Sequence, residues 1–304
     1  MASPSPTPTD GSAALLPRSI LPRSILLRVM FDGAAFAGFQ KQQDGIRSVA
    51  GVVEEAWLAM LGEAVIARAT SRTDAGVHAR RLPILIRTHK NVSARGLMLG
   101  LNVILPDDCK VVSAEELPPE ADVRSDAVGK RYVYYVQTGP ARLPLWRTRA
   151  WHIKAQLDPE KLLAACQMLE GIHDFAAFRS VNCSAQTTSR NILQVRPQVV
   201  DECGAQKVWA ITVEGNAFLH NMVRIMAGTV VDIARGRKTL QQLEHALKSG
   251  ERTSAGQTAP PHALVLDDVF FGPWGGRQGQ NYKDLLKNMA DIRDGVPQGP
   301  TPGQ

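Results

Sequence analysis

The chain has 304 residues, of which 44% are hydrophobic, and its formal net charge is +6. This length allows two modest domains or one large one, and the basic balance favours nucleic acid over an anionic small molecule as a partner. No apolar run approaches the roughly 20 residues that span a bilayer, and the N-terminus lacks the pattern of a secretory signal, so we expect a cytoplasmic protein with no membrane segment. The four cysteines have no CxxC spacing, which supports neither a zinc site nor a disulfide framework.

The first part of the chain alternates predicted strands with one helix. Residues 1–24 are rich in Pro, Ser and Thr and predict a disordered arm. The segments ILLRVMF and LPILIRT then predict strands, and VAGVVEEAWLAML between them has apolar residues at helical spacing. After a loop containing LPDD, the segments CKVVSA and KRYVYYVQT again predict strands.

The second part repeats this alternation. LDPEKLLAACQMLEG predicts a helix, with Asp158 as N-cap, Pro159 at the first position and Gly171 past the end. NILQVRPQVV and KVWAITVEG predict strands, AFLHNMVRIMAGTVVDIARG one long helix, TLQQLEHALKSG a short helix, and ALVLDDVFF a closing strand. We expect a mixed α/β protein with two similar halves, divided into the arm at 1–24, halves at 25–118 and 119–275, and a flexible tail at 276–304.

The stretch SRTDAGVHAR holds a candidate catalytic aspartate, Asp74, followed by alanine and glycine. Aspartate can bond its own backbone two residues on, and glycine tolerates a positive φ, so this is good turn chemistry. On local chemistry alone, a capping aspartate in a polar turn is the commoner interpretation.

Arg224 is the second candidate, because it lies in a predicted helix that is apolar on every side. A buried arginine needs a carboxylate or an anionic ligand, and Asp74, Asp174 and Asp232 are among the available carboxylates. Sequence spacing does not choose among them. His220 is four residues earlier and would share the helix face of Arg224, although a lone histidine there is more often a core residue.

The strand KRYVYYVQ places Tyr132 and Tyr134 on one face and Tyr135 on the other, with Lys130 and Arg131 leading in. Aromatic residues beside basic ones suit base stacking and phosphate contact. They equally suit a half-buried strand, which is the commoner case without further context.

Seven blocks between residues 25 and 271 resemble, in order and spacing, the TruA family of tRNA pseudouridine synthases. The blocks are FDGAAFAGFQKQ, SRTDAGVHA, LNVILPDD, VRSDAVGKRYVYYV, GIHDFAAFRS, NAFLHNMVRIMAGTVVDIARG and TAPPHALVL. The resemblance implies two ferredoxin-like α/β halves related by a pseudo-twofold, with the active site in the central cleft. It also implies an enzyme without metal or other cofactor, which isomerises uridine to pseudouridine at positions 38 to 40 of the tRNA anticodon stem-loop, and a homodimer in which one tRNA touches both subunits.

Carried over to this sequence, the resemblance assigns roles to five residues. Asp74 takes the place of the catalytic aspartate, and Arg224 that of the arginine paired with it. Tyr132 takes the place of the tyrosine that packs on the uracil and assists proton removal. Arg72 matches the arginine that helps to extrude the target base, and Leu264 an apolar residue that lines the uracil pocket.

The chain also departs from the family pattern, at positions that we interpret as cleft lining or turn residues. They are Ser71 and Ala263, where the family usually has glycine, Leu82, where it has glutamine, and the residues ADV before Arg124. Two further arginines, Arg80 and Arg81, follow the catalytic motif, and we expect them to bind the RNA stem. Two alternatives stay open: a pseudouridine synthase acting on other RNA uridines, and a non-catalytic tRNA-binding or chaperone homologue.

Overall fold

The computed structural model describes residues 22–272, apart from 43, 44, 182 and 184. The predicted tail at 276–304 and residues 1–21 of the predicted arm lie outside the described residues. The first strand begins at Arg23, so the last two residues of the predicted arm belong to the sheet.

Ten strands and five α-helices make up the described part of the chain, which confirms the mixed α/β class. The strands are β1 (Arg23–Phe31), β2 (Arg68–Ala69), β3 (His78–Thr88), β4 (Cys109–Leu117), β5 (Ala127–Thr138), β6 (Trp151–Ile153), β7 (Gly171–Asp174), β8 (Ser189–Cys203), β9 (Gln206–Gly215) and β10 (Leu264–Phe271). The helices are α1 (Val49–Leu61), α2 (Ala94–Ile104), α3 (Pro159–Met168), α4 (Met222–Ala234) and α5 (Leu240–Ser249).

All ten strands belong to one sheet, in which one strand order occurs twice. The sheet runs β4-β1-β3-β10-β5-β9-β8-β7, with β2 paired to β3 and β6 paired to β5. In β4-β1-β3 and again in β10-β5-β9, the earliest strand lies in the centre and is antiparallel to both neighbours. The two halves therefore repeat one strand order side by side, an order that does not by itself define a twofold axis.

The last strand, β10, joins the two halves. It pairs in parallel with β3 through Val265 and Leu266, and antiparallel with β5 over its whole length. The proposed division at 118/119 falls between β4 and β5 and stays a prediction, because β10 belongs to the second half by sequence and contacts the first half directly.

All five helices pack against one face of the sheet. The main core combines strand side chains such as Leu27 and Ile84 with helix side chains such as Trp57, all of them buried. The opposite face, which we call the helix-free face, carries a small apolar cluster around Leu26 and Leu85 to which no described helix contributes. Side chains alternate between the faces of a strand, so each strand residue can be assigned to the helical or the helix-free face.

The predicted helices that correspond to α1, α3 and α5 are confirmed. The helix α2 was not predicted, and the predicted start of α4 is wrong. The N-cap of α3 is Asp158, as predicted, and its carboxylate accepts from the Glu160 and Lys161 amides. The helix α2 was missed, although Ser93 caps it and Leu97 is fully buried beneath it. The predicted helix over residues 217–236 is too long by five residues at its start. No helix in the part of the chain that the structure describes is long and apolar enough to cross a bilayer.

Candidate active site

The loop between β2 and β3 carries Asp74 at a tight turn. The Val77 amide donates to the Asp74 carbonyl oxygen at 3.1 Å, and Gly76 has a φ of +78°. A positive φ at the third position of a turn is what type II geometry requires, and glycine adopts it without steric cost. The predicted turn is therefore present. The Asp74 carboxylate, however, contacts side chains of the other half rather than capping this turn.

The block FDGAAFAGF holds this loop by close backbone contacts. The Phe39 amide donates to the Thr73 carbonyl at 3.1 Å, and the Gly76 amide donates to the Phe36 carbonyl at 3.3 Å. Gly38 has a φ of +102°, and a Cβ at this position would lie 2.6 Å from the Thr73 carbonyl oxygen. Only glycine fits so close to the residue that precedes Asp74.

His78 fixes the other end of the loop. Its buried side chain accepts from the Gly33 amide through Nδ1 at 3.0 Å, and its Nε2 lies 3.0 Å from the His262 carbonyl oxygen. The histidine of the motif thus connects two sequence blocks to the loop, which keeps the position of Asp74 fixed relative to both halves of the sheet.

Arg224 lies at the start of α4 and points toward this loop. The helix begins at Met222, and the N-cap residue Asn221 has a left-handed φ of +63°. The Arg224 side chain is 15% exposed. Its Nε donates to the Ala259 carbonyl at 2.7 Å and its Nη1 to Asn221 Oδ1 at 2.6 Å. These two hydrogen bonds anchor the guanidinium group.

The Asp74 carboxylate lies between two basic side chains. Nη1 of Arg224 is 3.5 Å from Oδ2, and Nε2 of His220 is 3.2 Å from Oδ1. Among the candidate carboxylates, the structure brings Asp74 to Arg224, whereas Asp174 accepts from the Ala176 amide at 3.0 Å. Each carboxylate oxygen thus faces a basic side chain, and this arrangement orients the group.

His220 reaches Asp74 by a route that the sequence did not predict. It precedes the helix, so the predicted sharing of a helix face with Arg224 is wrong. Its side chain is 43% exposed, so the interpretation as a core histidine is wrong as well. The chain turns sharply at Asn221, and this turn directs His220 toward the loop.

A cavity of about 560 Å³ opens in front of Asp74, within the size range of small-ligand sites. Its wall includes Tyr132 and Leu264, the two residues that the resemblance assigns to the uracil pocket. Leu264 is 6% exposed, and the Tyr132 ring packs edge-on against Phe218 with 5.1 Å between ring centroids. The structure therefore brings Asp74, Arg224, Tyr132 and Leu264 to one cavity between the halves.

Tyr132 carries a neutral phenol in this cavity. Burial raises the pKa of its hydroxyl to about 12, and the negative charge of Asp74 acts in the same direction. A contact with the Ser71 side chain acts in the opposite direction and favours the ionised form. Below pH 10 the hydroxyl therefore keeps its proton, and the ring presents an apolar face with one polar group.

Arg72 lies at the mouth of the cavity with an exposed side chain. No hydrogen bond or ion pair holds its guanidinium to another residue that the structure describes. The charged residues that line a groove beside the mouth are four cations, Lys41, Arg68, Arg72 and Arg124, and two carboxylates, Glu54 and Asp122. An exposed cation without a partner is free to move toward an anionic ligand.

Arg80 and Arg81 do not belong to this group. A β-bulge places both of them opposite Met30, because the register of β1 with β3 shifts between Val29 and Phe31. Both side chains project on the helix-free face, away from the cavity. Nη1 of Arg80 lies 2.9 Å from Asp267 and Nη1 of Arg81 lies 3.3 Å from Asp268. Their expected contact with RNA stays a prediction, and it would have to be made on that face.

The positions that depart from the family pattern differ in environment. Leu82 and Ala263 are fully buried in the main core and do not line the cavity; Ala263 ends a single 3-10 turn, Pro261–Ala263, as a turn residue would, whereas Leu82 lies within β3 and fits neither expectation. Ala121 and Val123, from the segment before Arg124, are buried in the small cluster on the helix-free face. Only Ser71 lines the cavity, where it contacts Tyr132.

Lys130 is a cavity residue that the sequence indicated only as one of two basic residues before the tyrosines, suited to phosphate contact but equally to a half-buried strand. It lies on β5 two residues before Tyr132 and lines the same cavity. Burial lowers the pKa of its amine to about 8, and the positive charge of Arg190 adds to this effect. The alternation of strand β5 could have indicated its position. Within the described residues, no three His, Cys, Asp or Glu side chains are grouped closely enough to hold a metal ion.

Comparisons with known proteins identify close relatives of this chain. A family model described as tRNA pseudouridine synthase matches residues 165–272. The tRNA pseudouridine synthase A of Pelobacter propionicus is 41% identical over 245 residues, which cover 81% of this chain and 98% of the relative. The proteins of the same name from Geobacter sulfurreducens and Myxococcus xanthus are 39% and 38% identical; the alignments cover 79% and 81% of this chain and 96% and 91% of the relatives.

Among solved structures, the archaeal box H/ACA sRNP Nop10-Cbf5 complex contains a chain that aligns with 91% of this one. The alignment covers 57% of that chain at 12% sequence identity, with a TM-score of 0.33. A TM-score of this size does not establish a shared fold, so the close sequence relatives are the informative comparison.

Proposed function

The chain belongs to the tRNA pseudouridine synthase A family and is thus an enzyme that isomerises uridine in tRNA; from that premise we propose that Asp74 is its nucleophile and the anticodon stem-loop its target. The target uridines would be those at positions 38 to 40, as the resemblance of the seven sequence blocks implies. The proposal also includes a homodimer acting in the cytoplasm.

Pseudouridine formation breaks the bond between N1 and C1′, turns the uracil, and rejoins the sugar to C5. The reaction exchanges one bond for another, with C5 losing its proton to solvent and N1 taking one up, so the product is an isomer and the reaction is redox-neutral. An aspartate carboxylate can open this sequence by nucleophilic attack, since carboxylates are established covalent catalysts. Glycoside hydrolysis, by comparison, normally uses two carboxylates, and Asp74 is the carboxylate that lines this cavity.

The observation that carries the proposal is the position of the Asp74 carboxylate. It faces an open cavity, and Arg224 and His220 each approach a different oxygen of it. In a capping aspartate, the side-chain oxygens would instead accept hydrogen bonds from the backbone amides of the turn. The two basic residues hold the carboxylate in one orientation and leave its cavity side open to a substrate.

The neighbouring residues suit a base that has been flipped out of a helix. Flipping the base out costs a few kcal/mol. Contacts with the extruded base, and with the position in the stem that it has left, must offset this cost. Tyr132 and Leu264 offer an apolar slot for the uracil, and Ala75 and Gly76 beside Asp74 add little bulk. Arg72, exposed at the mouth, can enter the vacated position in the stem. The basic groove of Lys41, Arg68 and Arg124 can then contact the backbone phosphates on the way to the cavity.

The test is release of tritium from tRNA transcripts labelled at C5 of uridine. Transcripts with a single uridine at position 38, 39 or 40 are compared with one that has none in the anticodon stem-loop. We expect release from at least one of the first three, and none by Asp74→Asn, which should still bind tRNA. Equal release from all four transcripts would reassign the target to uridines outside the stem-loop, and full activity of Asp74→Asn would remove the nucleophile assignment.

The dimer is tested separately, by sedimentation of the purified protein with and without tRNA. We expect a mass of two chains in the absence of RNA. A monomer that binds one tRNA with full activity would contradict this part of the proposal and leave the reaction untouched.

A further inference from the structure

The cavity wall carries a further cation, Lys130, besides Arg72 and Arg224. Lys130 lies on β5 at a position that faces the same side as Tyr132, and Cys183 and Phe218 line the cavity beside it. Gly215 is its partner on β9, and the space that a side chain would occupy there is taken by Ile192, Asn191 and Phe218. Asp74, Tyr132 and Lys130 all line this one cavity.

Lys130 has no partner for its charge. Neither an ion pair nor a hydrogen bond joins its ammonium group to another of the residues that the structure describes. Burial without a partner disfavours the charged form, and the pKa of the amine falls to about 8 accordingly. A lysine on a protein surface without function would instead extend into solvent, where its charge costs little.

A second cation approaches from β8. Ile192 on β8 pairs with Gly215, so Arg190 lies two residues from the strand position next to Lys130. The charges of Lys130 and Arg190 repel each other, which lowers the pKa of the lysine further. Arg190 donates to the Ser189 carbonyl at 2.6 Å through Nη1, but its buried Nε has no partner in the described structure.

Among the described residues, no ion pair joins Lys130 or Arg190 to a carboxylate. Asp74, which lines the same cavity, is already contacted by His220 and Arg224. Two neighbouring cations that are partly buried without a counter-charge form a site for an anion that comes from outside the chain.

We propose that Lys130 and Arg190 form a subsite for a backbone phosphodiester of the RNA, next to the uridine that enters the cavity. The subsite rests on the proposed function, because the uridine brings the anion with it. Uracil and ribose are neutral, so the phosphodiester is the group whose full negative charge matches two cations. Base contact at Tyr132 and phosphate contact at Lys130 would fix both ends of one nucleotide relative to Asp74.

The test compares Lys130→Met, Lys130→Arg and a control, Lys154→Met, whose lysine is exposed and outside the cavity lining. We expect Lys130→Met to raise KM about tenfold, the value of one hydrogen bond to a charged group. The dependence of log Kd on log salt, measured in the Asp74→Asn background, should become shallower by about 0.7 to 0.9, as for one lost phosphate contact. Lys130→Arg should retain most of both values, and Lys154→Met should match the wild type.

Two results would overturn the subsite. One is an unchanged KM and salt dependence in Lys130→Met; the other is a fall in kcat at unchanged KM, which would assign the lysine to the chemistry. If Lys130→Met does not fold, Arg190→Met provides the same comparison from the other strand. Wild-type protein that releases no tritium would refute the proposed function instead, so the two failures are distinguishable.

Discussion

Nε2 of His220 lies 3.2 Å from Oδ1 of Asp74, although the two residues belong to different halves of the chain. The contact forms because Asn221 takes a left-handed conformation just before α4 and directs His220 back toward the catalytic loop. Together with Arg224, it orients a carboxylate that is one third exposed and lines the cavity.

We predict that His220→Ala lowers kcat by about tenfold, equivalent to about 1.4 kcal/mol, because the carboxylate loses one of the two side chains that orient it. His220→Gln, whose amide nitrogen can occupy the position of Nε2, should lose less. Single-turnover tritium release with saturating enzyme measures the difference. Equal and full activity of both variants would show that Arg224 orients Asp74 alone.

Tyr132→Phe should lower kcat with little change in KM. The phenylalanine ring keeps the packing against Phe218, whereas the hydroxyl near Asp74 is lost. Since burial raises the pKa of Tyr132 to about 12, the hydroxyl is protonated throughout the range from pH 6 to pH 9. The pH profile of kcat should therefore shift downward without changing shape. A profile that loses an ionisation between pH 6 and pH 9 would contradict the raised pKa.

A third prediction separates the two groups of arginines by the salt dependence of tRNA binding. The double variant Arg68→Gln with Arg124→Gln removes two groove cations for which no ion pair within 4 Å is present among the described residues, and should lower the slope of log Kd against log salt by about 1.4 to 1.8. Arg80→Gln with Arg81→Gln removes cations already paired with Asp267 and Asp268, and should lower it less. A larger effect of the second pair would place the RNA on the helix-free face.

Gly38→Ala should destabilise the protein and slow the reaction together. A Cβ at Gly38 meets the Thr73 carbonyl oxygen at 2.6 Å, and the positive φ adds strain, so we expect a loss of about 1–3 kcal/mol in unfolding free energy. The control is Gly62→Ala, which has a φ of +63° but open space around its Cβ, and should cost about 1 kcal/mol with normal activity.

Thermal unfolding and tritium release on the two glycine variants measure these effects. If Gly62→Ala loses as much activity as Gly38→Ala, global stability rather than the position of the catalytic loop explains the loss.

The pairing of Asp74 with Arg224 shows what sequence alone could establish. The apolar surroundings of Arg224 predicted that it needs an anion, but spacing could not choose among several carboxylates. The choice depended on the family resemblance, and the structure now gives the distance. The contact of His220 with Asp74 could not be predicted from the sequence, because it depends on one left-handed residue, Asn221. Asparagine adopts that conformation only in some contexts.

The fold was predictable where local and tertiary signals agree. The helix α1 has a serine cap, apolar residues at helical spacing and Gly62 after its end, and its predicted bounds are confirmed. The helix α2 carries two glycines, Gly96 and Gly100, which weaken the local signal, and its burial against the sheet stabilises it instead. The orientation of Arg80 and Arg81 depends on a bulge, and a shift of one residue in strand pairing reverses the face that a side chain occupies.

The strand β10 lies in the middle of the sheet but is the last of the described strands to be synthesised. The ribosome completes β3 and β5 early, yet the strand that pairs between them ends at Phe271. At about 5–20 residues per second, the nascent chain keeps two open strand edges for on the order of ten seconds. Exposed edges of this kind are templates for wrong pairing and aggregation. We therefore expect chains truncated before Leu264 to bind chaperones, and not to fold into an enzyme of lower activity.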